Sequence, residues 1–289
     1  MISAFLQTLI DGLLIGGVYG VIAVGLSLVF GVLKIVNFAQ AEFLMIGMYA
    51  AWFSWAYLGL DPVFGAFVAL AVGFALGALC QRLLVQHVLK APPVAQIFLT
   101  VGLLAVIENG ALMLFGSEFR SVRTPYQTAA LELGPLFISV PYLVAFIAAL
   151  AISGALWLLL TRSWIGRAIR ATSQNANAAQ LFGIDTRTVY AIAFGLGTGL
   201  TAFGGGVILS YSAVSPTAGA QFVVLMFTVV VLGGLGSVLG ALVGGLIVGV
   251  IQSLSTLIMP IQLQNLALFV VFITFLAFRP QGLLGKGAR

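Results

Sequence analysis

Ionisable side chains are scarce in this sequence, so the few that interrupt its apolar runs are the first candidates for chemistry. The segment 31–49 carries Lys34, Asn37, Gln40 and Glu42 where one apolar run ends and the next begins. Polar groups at such positions usually face protein or a water-filled cavity, which predicts a translocation path or gate. The alternative is a helix junction at the cytoplasmic surface, where Asn37 caps the next helix and Lys34 reaches lipid headgroups. Glu42 is the sharper candidate because it lies inside the second run.

A second polar pair, Glu108 and Asn109, interrupts the apolar run 94–115. We assign both to the path or gate because an ionisable residue within such a run is a functional candidate by default. The alternative places them near the outer end of their helix, with Asn109 bonded to the backbone of a neighbour.

The sequence offers no set of residues for catalysis. His87 is the only histidine and has no second histidine or cysteine at ligand spacing, so no metal site is expected. The glycines around Lys286 lack the spacing of a phosphate loop, and no following Ser or Thr completes one. We therefore expect neither an enzyme nor a bound cofactor, and any ATP hydrolysis belongs to another chain.

Glycines recur at intervals of four in the segment 229–250. Such spacing leaves one helix face nearly bare, so another helix can approach closely. A helix break within the segment would instead expose backbone polar groups to a cavity, although simple packing explains the spacing too. We assign helix packing to Gly240, Gly244 and Gly249, and the path or gate to Gly233, Gly234, Gly236 and Ser237.

The elements that position these residues are membrane helices. The 289-residue chain is 62% hydrophobic and 7% charged, with a mean hydropathy of +1.19, whereas soluble domains are about a quarter charged. Its apolar runs are continuous and about 20 residues long, which fits transmembrane helices and excludes the alternating pattern of a barrel. Nine runs qualify: 4–30, 39–57, 63–84, 94–115, 140–160, 188–211, 221–233, 238–257 and 261–278.

These runs predict an all-α polytopic membrane protein with eight to nine transmembrane or re-entrant helices, in a single domain spanning 1–289. The run 221–233 is too short to cross alone, so it forms either one broken helix or a re-entrant pair with 238–257. Glycine breaks at 31–41 and 233–240 hint at two repeat-like halves with a path between them.

Loop charges orient the chain. Basic residues without acids occupy the connection near 82–93 and the tail after 278, and the segment 161–187 holds four arginines against one aspartate. Arg120 and Arg123 are balanced by two glutamates in the loop 116–139. The positive-inside rule therefore places the connection 82–93, the segment 161–187 and the tail in the cytoplasm. It places the loop 116–139 and the N-terminus outside. The net charge of +5 is then explained by the cytoplasmic leaflet rather than by nucleic acid.

The segment 161–188 is the longest polar cytoplasmic insertion, where a soluble partner could act on the membrane domain. Its apolar residues fall on one helical face. Ser173 is the expected N-cap of a single short helix, Gly183 its stop, and Asp185 the cap of the next span. The alternative is a connector that lies on the lipid headgroups.

Several motifs resemble one family nearly end to end: the LivH-type permease subunits of high-affinity branched-chain amino acid ABC importers, inner membrane components of binding-protein-dependent transport. IVNFAQAEFLMIGMY resembles its NFAHGE-type motif, with Gln40 for His and Ala41 for Gly. VLGGLGSVLGALVGG and FRPQGLLG are similar to two further signatures. The spacing from Asn177 to Gly183 resembles the EAA-x-x-x-G pattern of the loop that docks on the ATPase, with Asn177 for Glu.

The resemblance implies a multi-pass permease of the bacterial inner membrane that translocates branched-chain or related amino acids. A LivM-like second permease, two LivG/LivF-like ATPases holding ATP and Mg, and a periplasmic binding protein would complete the importer. Its coupling residues would be Arg167, Arg170, Asn177, Ala178, Ala179 and Gly183. Urea or short amides are alternative substrates. Two alternative functions are a stand-alone secondary transporter or channel and a membrane-embedded enzyme. The transporter or channel would have only Glu42 and Glu108 as acidic sites.

Overall fold

A bundle of helices makes up most of the chain. The computed structural model describes residues 2–260, 263–279 and 281–285. The long helices of the first half are α1 (Ile2–Leu33), α2 (Gln40–Leu58), α3 (Pro62–Cys80), α5 (Pro93–Phe115) and α6 (Val140–Arg162); α3 continues through a π-helical turn (Gln81–Val85) into the short α4 (Gln86–Val88). The second half contains α7 (Trp164–Gln174), α8 (Ala176–Leu181), α9 (Thr186–Ile208), α10 (Ala218–Gly233), α11 (Val238–Ser255) and α12 (Gln264–Phe278).

The helical membrane architecture predicted from the sequence is confirmed. Six helices in the described part are long and apolar enough to cross a membrane, and α10 and α12 are apolar but shorter. The tail cations Lys286 and Arg289, which entered the orientation prediction, lie outside the described residues.

The centre of the bundle is formed by α1 and α9. In their apolar stretches 78% and 89% of residues are buried, against 17% in α5 and 22% in α6. Close approach is possible because glycine stands at the crossings: a Cβ at Gly25 or Gly47 would collide with the backbone of α9. The outer helices α5 and α6 expose apolar side chains, as expected for surfaces that face lipid or another subunit.

The segment 221–257, left open by the sequence, is a helical hairpin rather than one broken helix. Its first helix, α10, begins at Ala218, three residues earlier than predicted. A turn over 234–237 reverses the chain into α11. Gly234 has φ +106 in this turn, a conformation that other residues adopt only at a cost.

The loop 116–139, which the loop charges predict to lie outside, contains a small sheet that the sequence did not predict. Strands β1 (Ala130–Leu133) and β2 (Leu136–Ser139) pair antiparallel. Gln7 of α1 exchanges hydrogen bonds with the backbone of Phe137. The Tyr126 hydroxyl donates to the Asp61 carboxylate at 2.7 Å, and Asp61 in turn caps α3. Burial and this hydrogen bond raise the pKa of Tyr126 above its usual value.

The segment 161–188, which the loop charges predict to be cytoplasmic, holds two helices rather than the single helix expected. The expected N-cap is wrong: Ser163 caps α7 by accepting from the N–H of Gly166, whereas Ser173 lies in the last turn of α7. The extended backbone of Asn175 ends α7, and its side chain caps α8. Two predictions are confirmed: Gly183, with φ +81, stops the second helix, and Asp185 caps α9.

Candidate functional site

The connection between α1 and α2 lies inside the bundle. Thr100 of α5 donates to the carbonyl of Val36 at 3.3 Å. Gln40 donates to the Gly197 carbonyl and the Thr201 hydroxyl of α9, at 3.1 and 2.7 Å. Thr100 is seven residues into its helix and Gly197 eleven, which places them about 10 and 16 Å from the N-terminal ends of α5 and α9 at 1.5 Å per residue. The helix α2 therefore starts at depth.

The two amide side chains of this connection are occupied with each other and with α9. Asn37 donates to Gln40 at 2.9 Å, and its oxygen accepts from the N–H of Ala39 at 3.2 Å. Both side chains are buried, whereas Lys34 is exposed. Lys34 therefore fits the alternative of a junction at the surface. Asn37 does cap the start of α2, as that alternative expected, but it lies inside the bundle.

Glu42 is completely buried, and neither carboxylate oxygen has a hydrogen-bond partner within the described part of the chain. The carboxylate lies against Gly219: a Cβ built there would be 2.5 Å from Oε1. Gly219 is the second residue of α10, so the first turns of α2 and α10 meet at Glu42. Burying an unpartnered carboxylate is costly, and intramembrane acids of this kind mark ion and substrate pathways.

Among the described residues, no hydrogen bond joins Glu108 or Asn109 to Asn37 or Gln40. Glu108 is half-buried and Asn109 is exposed. Asn109 donates to the carbonyl of Ala105 in its own helix at 2.8 Å, so the predicted bond to a neighbouring backbone is wrong. Asn109 therefore lies on an exposed surface of α5, whereas Glu108 is partly covered by its surroundings.

The four residues of the predicted helix break form a closed turn. Ser237 accepts from the N–H of Gly240 and so caps α11, and Gly236 lies against the backbone of Gly31 in α1. The tail closes the other side, because the N–H groups of Leu283 and Leu284 donate to the last carbonyls of α10. In this conformation the backbone polar groups at the end of α10 are paired with the tail.

The glycines assigned to packing lie on two faces of α11. Gly240 and Gly244 lie against α10, whereas Gly249 lies against Gly12 and Gly16 of α1. At each of the three, a Cβ would overlap backbone atoms of the neighbouring helix.

The arginines assigned to coupling hold α7 against the end of α6. Arg167 donates to the carbonyl of Arg162 at 3.3 Å, and Arg170 to that of Leu160. Cations at a helix C-terminus satisfy its free carbonyls and oppose its dipole. Both arginines remain largely exposed.

The helix α8 carries the remaining coupling candidates. Ala179 is buried, Ala178 is half-buried, and Asn177 is exposed. Gly183 turns the chain back, and the N–H of Ile184 donates to the carbonyl of Ala179, which closes the helix end.

The sequence analysis missed two residues at the tip of this helix. Leu181 is 88% exposed and Phe182 is 87% exposed. Two adjacent large apolar side chains exposed at a turn between helices indicate a surface that a partner or lipid covers. The sequence did contain one indication of this exposed pair, because Leu181 and Phe182 stand between a polar helix and the glycine that ends it.

Comparison with known proteins gives a consistent set of relatives. The family described as branched-chain amino acid transport system / permease component matches residues 8–278. The high-affinity branched-chain amino acid transport system permease protein BraD of Pseudomonas aeruginosa is 29% identical, over 98% of this chain and 96% of its own. LivH of Salmonella typhimurium, of the same description, is 30% identical over the same shares. The ribose import permease protein RbsC of Escherichia coli is 30% identical over 65% of this chain and 60% of its own. No solved structure matches.

The family match covers nearly the whole chain, and the two amino acid permeases align along almost their full length. The structure adds a polytopic helical bundle with a buried polar junction and an exposed apolar pair at the tip of α8. This chain is a multi-pass membrane protein that belongs to the permease-component family of branched-chain amino acid transport systems.

Proposed function

We propose that this chain is the permease subunit of an ATP-driven importer for branched-chain or related amino acids in the bacterial inner membrane. The observation that carries the proposal is the exposed pair Leu181–Phe182 on a capped cytoplasmic helix. A permease driven by a soluble ATPase needs a contact through which the ATPase can push, and an exposed apolar pair can supply it. The substrate class comes from the names of the two similar amino acid permeases.

The ATP chemistry belongs to partner chains. Two LivG/LivF-like ATPases would bind ATP and Mg and contact α8, while a periplasmic binding protein delivers substrate from the other side. A second permease, either LivM-like or a copy of this chain, would cover the exposed surface of α5 around Asn109. Nucleotide binding then shifts the population between inward-open and outward-open states.

Glu42 is the group we assign to the path, together with the first turns of α2 and α10. Helix N-termini carry partial positive charge, and helices that begin near the midplane hold anionic substrate groups in other transporters. A zwitterionic amino acid would place its carboxylate toward these N-termini and its ammonium toward Glu42. In the present conformation Gly219 closes over Glu42, so passage requires α2 and α10 to separate.

This arrangement favours amino acids over urea or short amides. A neutral amide carries neither the anionic group for the helix ends nor the cation for Glu42. Amino acid uptake in the assembled system, with a neutral amide of similar size as competitor, separates the two substrate classes.

The experiment that tests the function is purification of the full chain with the products of neighbouring genes. ATPase subunits should co-purify, and uptake into proteoliposomes should require ATP and the binding protein. Uptake that persists without any ATPase and follows an ion gradient would show a secondary transporter instead.

A further inference from the structure

A groove of about 940 Å³ lies on the cytoplasmic side between α4, α8 and the start of α9. It is separate from the residues assigned to the path. Residues from five places in the chain line it: Leu33; Arg82, Gln86, His87, Leu89 and Lys90; Ala176, Asn177 and Gln180; Thr186, Arg187 and Thr188; and Tyr190.

The groove is strongly basic. Arg82, Lys90 and Arg187 line it, with His87 beside them, and none of its lining residues is acidic. Asp185, next in the chain to the groove, is already engaged: its carboxylate accepts from the hydroxyl of Thr188 and from the N–H of Arg187. The bond from Thr188 lowers the pKa of Asp185, so this acid stays ionised, but its oxygens point to its own cap.

The depth of the groove matches the phospholipid headgroups. It is bounded by the last residue of α1, the residues that follow α4 and the first turn of α9, which are cytoplasmic helix ends by the positive-inside rule. Leu33, Leu89 and Tyr190 give it an apolar wall beside the basic groups. A charged group with an attached hydrocarbon chain fits such a lining better than a fully solvated ion does.

The local backbone brings Arg82 into this position. Residues Gln81–Val85 form a π-helical turn between α3 and α4. Such turns shift the direction of the following side chains and occur mostly at functional sites. Arg82 and Gln86, within and just after the turn, both reach the groove.

We infer that this groove binds the headgroup of an anionic phospholipid, with Arg82, Lys90 and Arg187 around the phosphate. Basic pockets between membrane helices on the cytoplasmic side bind such headgroups elsewhere. Asn177 and Gln180 line the groove, and Gln180 donates to Thr186 at 2.6 Å. A bound lipid would therefore brace α8 against α9.

The test is retention of phosphatidylglycerol by the full chain, purified with its accompanying subunits in nanodiscs of mixed phosphatidylglycerol and phosphatidylcholine. Bound lipid is counted by native mass spectrometry. The double variant Arg82→Gln/Arg187→Gln should bind phosphatidylglycerol about 25-fold more weakly, because each basic residue at the surface contributes about fivefold. The matched control is Arg162→Gln, a cytoplasmic arginine that does not line the groove.

Three results would overturn the proposal. The first is equal retention of phosphatidylglycerol by the double variant and the control. The second is displacement of the lipid by inorganic phosphate, which would make the groove a site for a soluble anion. The third is loss of the ATPase from the double variant in pure phosphatidylcholine nanodiscs, which would identify the groove as a protein contact. Because that assay scores lipid and ATPase separately, failure here leaves the proposed transport function standing.

Discussion

Replacing both Leu181 and Phe182 by alanine should detach the ATPase while leaving the permease folded. The two side chains are 88% and 87% exposed, so almost none of their apolar surface supports the fold of this chain. Full burial of a Leu or Phe side chain contributes about 1.5–3 kcal/mol. Taking the lower limit of that range for each of the two side chains gives about 3 kcal/mol, or roughly a hundredfold in the dissociation constant.

The assay has two readouts from one preparation. The permease is purified by a tag on this chain, and the ratio of ATPase to permease is measured across a dilution series. The same complexes are then reconstituted for ATP-dependent uptake. A second adjacent apolar pair, Leu257 and Ile258 beyond α11, is 49% and 84% exposed on the predicted outer side, so its double alanine variant is the matched control.

The pattern across the two variants decides the outcome. We expect loss of ATPase and of uptake only for the variant at the tip of α8, with the thermal midpoint of both permeases unchanged. ATPase retention equal to that of the unmodified chain, or an equal loss in both variants, would refute the assignment of α8 as the contact.

Three further changes probe other parts of the structure. Glu42→Gln keeps the shape of the side chain but removes its charge. Uptake should fall at least about tenfold, because a hydrogen bond to a charged group contributes about 1.5–3 kcal/mol, while the thermal midpoint stays the same or rises. Uptake equal to that of the unmodified chain would mean that Glu42 has only a structural role. Gly249→Leu should abolish folded protein, because the backbone of α1 occupies the space that the new side chain would need. The control Gly102→Leu should fold, because nothing lies within 4 Å of a Cβ built there. Equal yields of folded protein from the two variants would contradict the close contact between α11 and α1. Tyr126→Phe should lower the thermal midpoint, because it removes the hydrogen bond to Asp61, which contributes about 1.5–3 kcal/mol. The same substitution should have no effect in an Asp61→Asn background. An unchanged midpoint in the single variant would mean that Tyr126 does not hold the loop 116–139 to α3.

The sequence predicted the helices well because apolar runs of about 20 residues leave few alternatives in a membrane. It could not predict where along the membrane each helix begins. Asn37 and Gln40 fit a surface junction equally well in the sequence, and only the bonds from Gln40 to α9, with Asn37 bonded to Gln40, place them at depth. Depth is a property of packing between distant segments, which run length does not contain.

The cytoplasmic segment shows a second kind of limit. Ser163 and Ser173 both precede residues that favour helix, so local preference did not choose between them as caps. The choice depends on the end of α6, whose free carbonyls take Arg167 and Arg170 and thereby fix the start of α7. Likewise, an apolar pair such as Leu181–Phe182 usually indicates burial, and its exposure becomes evident only once α8 is placed.

A continuous set of bonds joins the exposed tip to the buried acid. A helix of six residues is not stable alone, so α8 depends on its caps and on the bond from Gln180 to Thr186 at the start of α9. Eleven residues further along, α9 holds Gln40 through Gly197 and Thr201, and Gln40 begins the helix that carries Glu42. Because α9 is a packed helix whose buried glycines lie against neighbouring backbone, little slack remains along this route. We therefore expect a push on the tip of α8 to shift the start of α2, which is how an ATPase contact at α8 would open the site at Glu42.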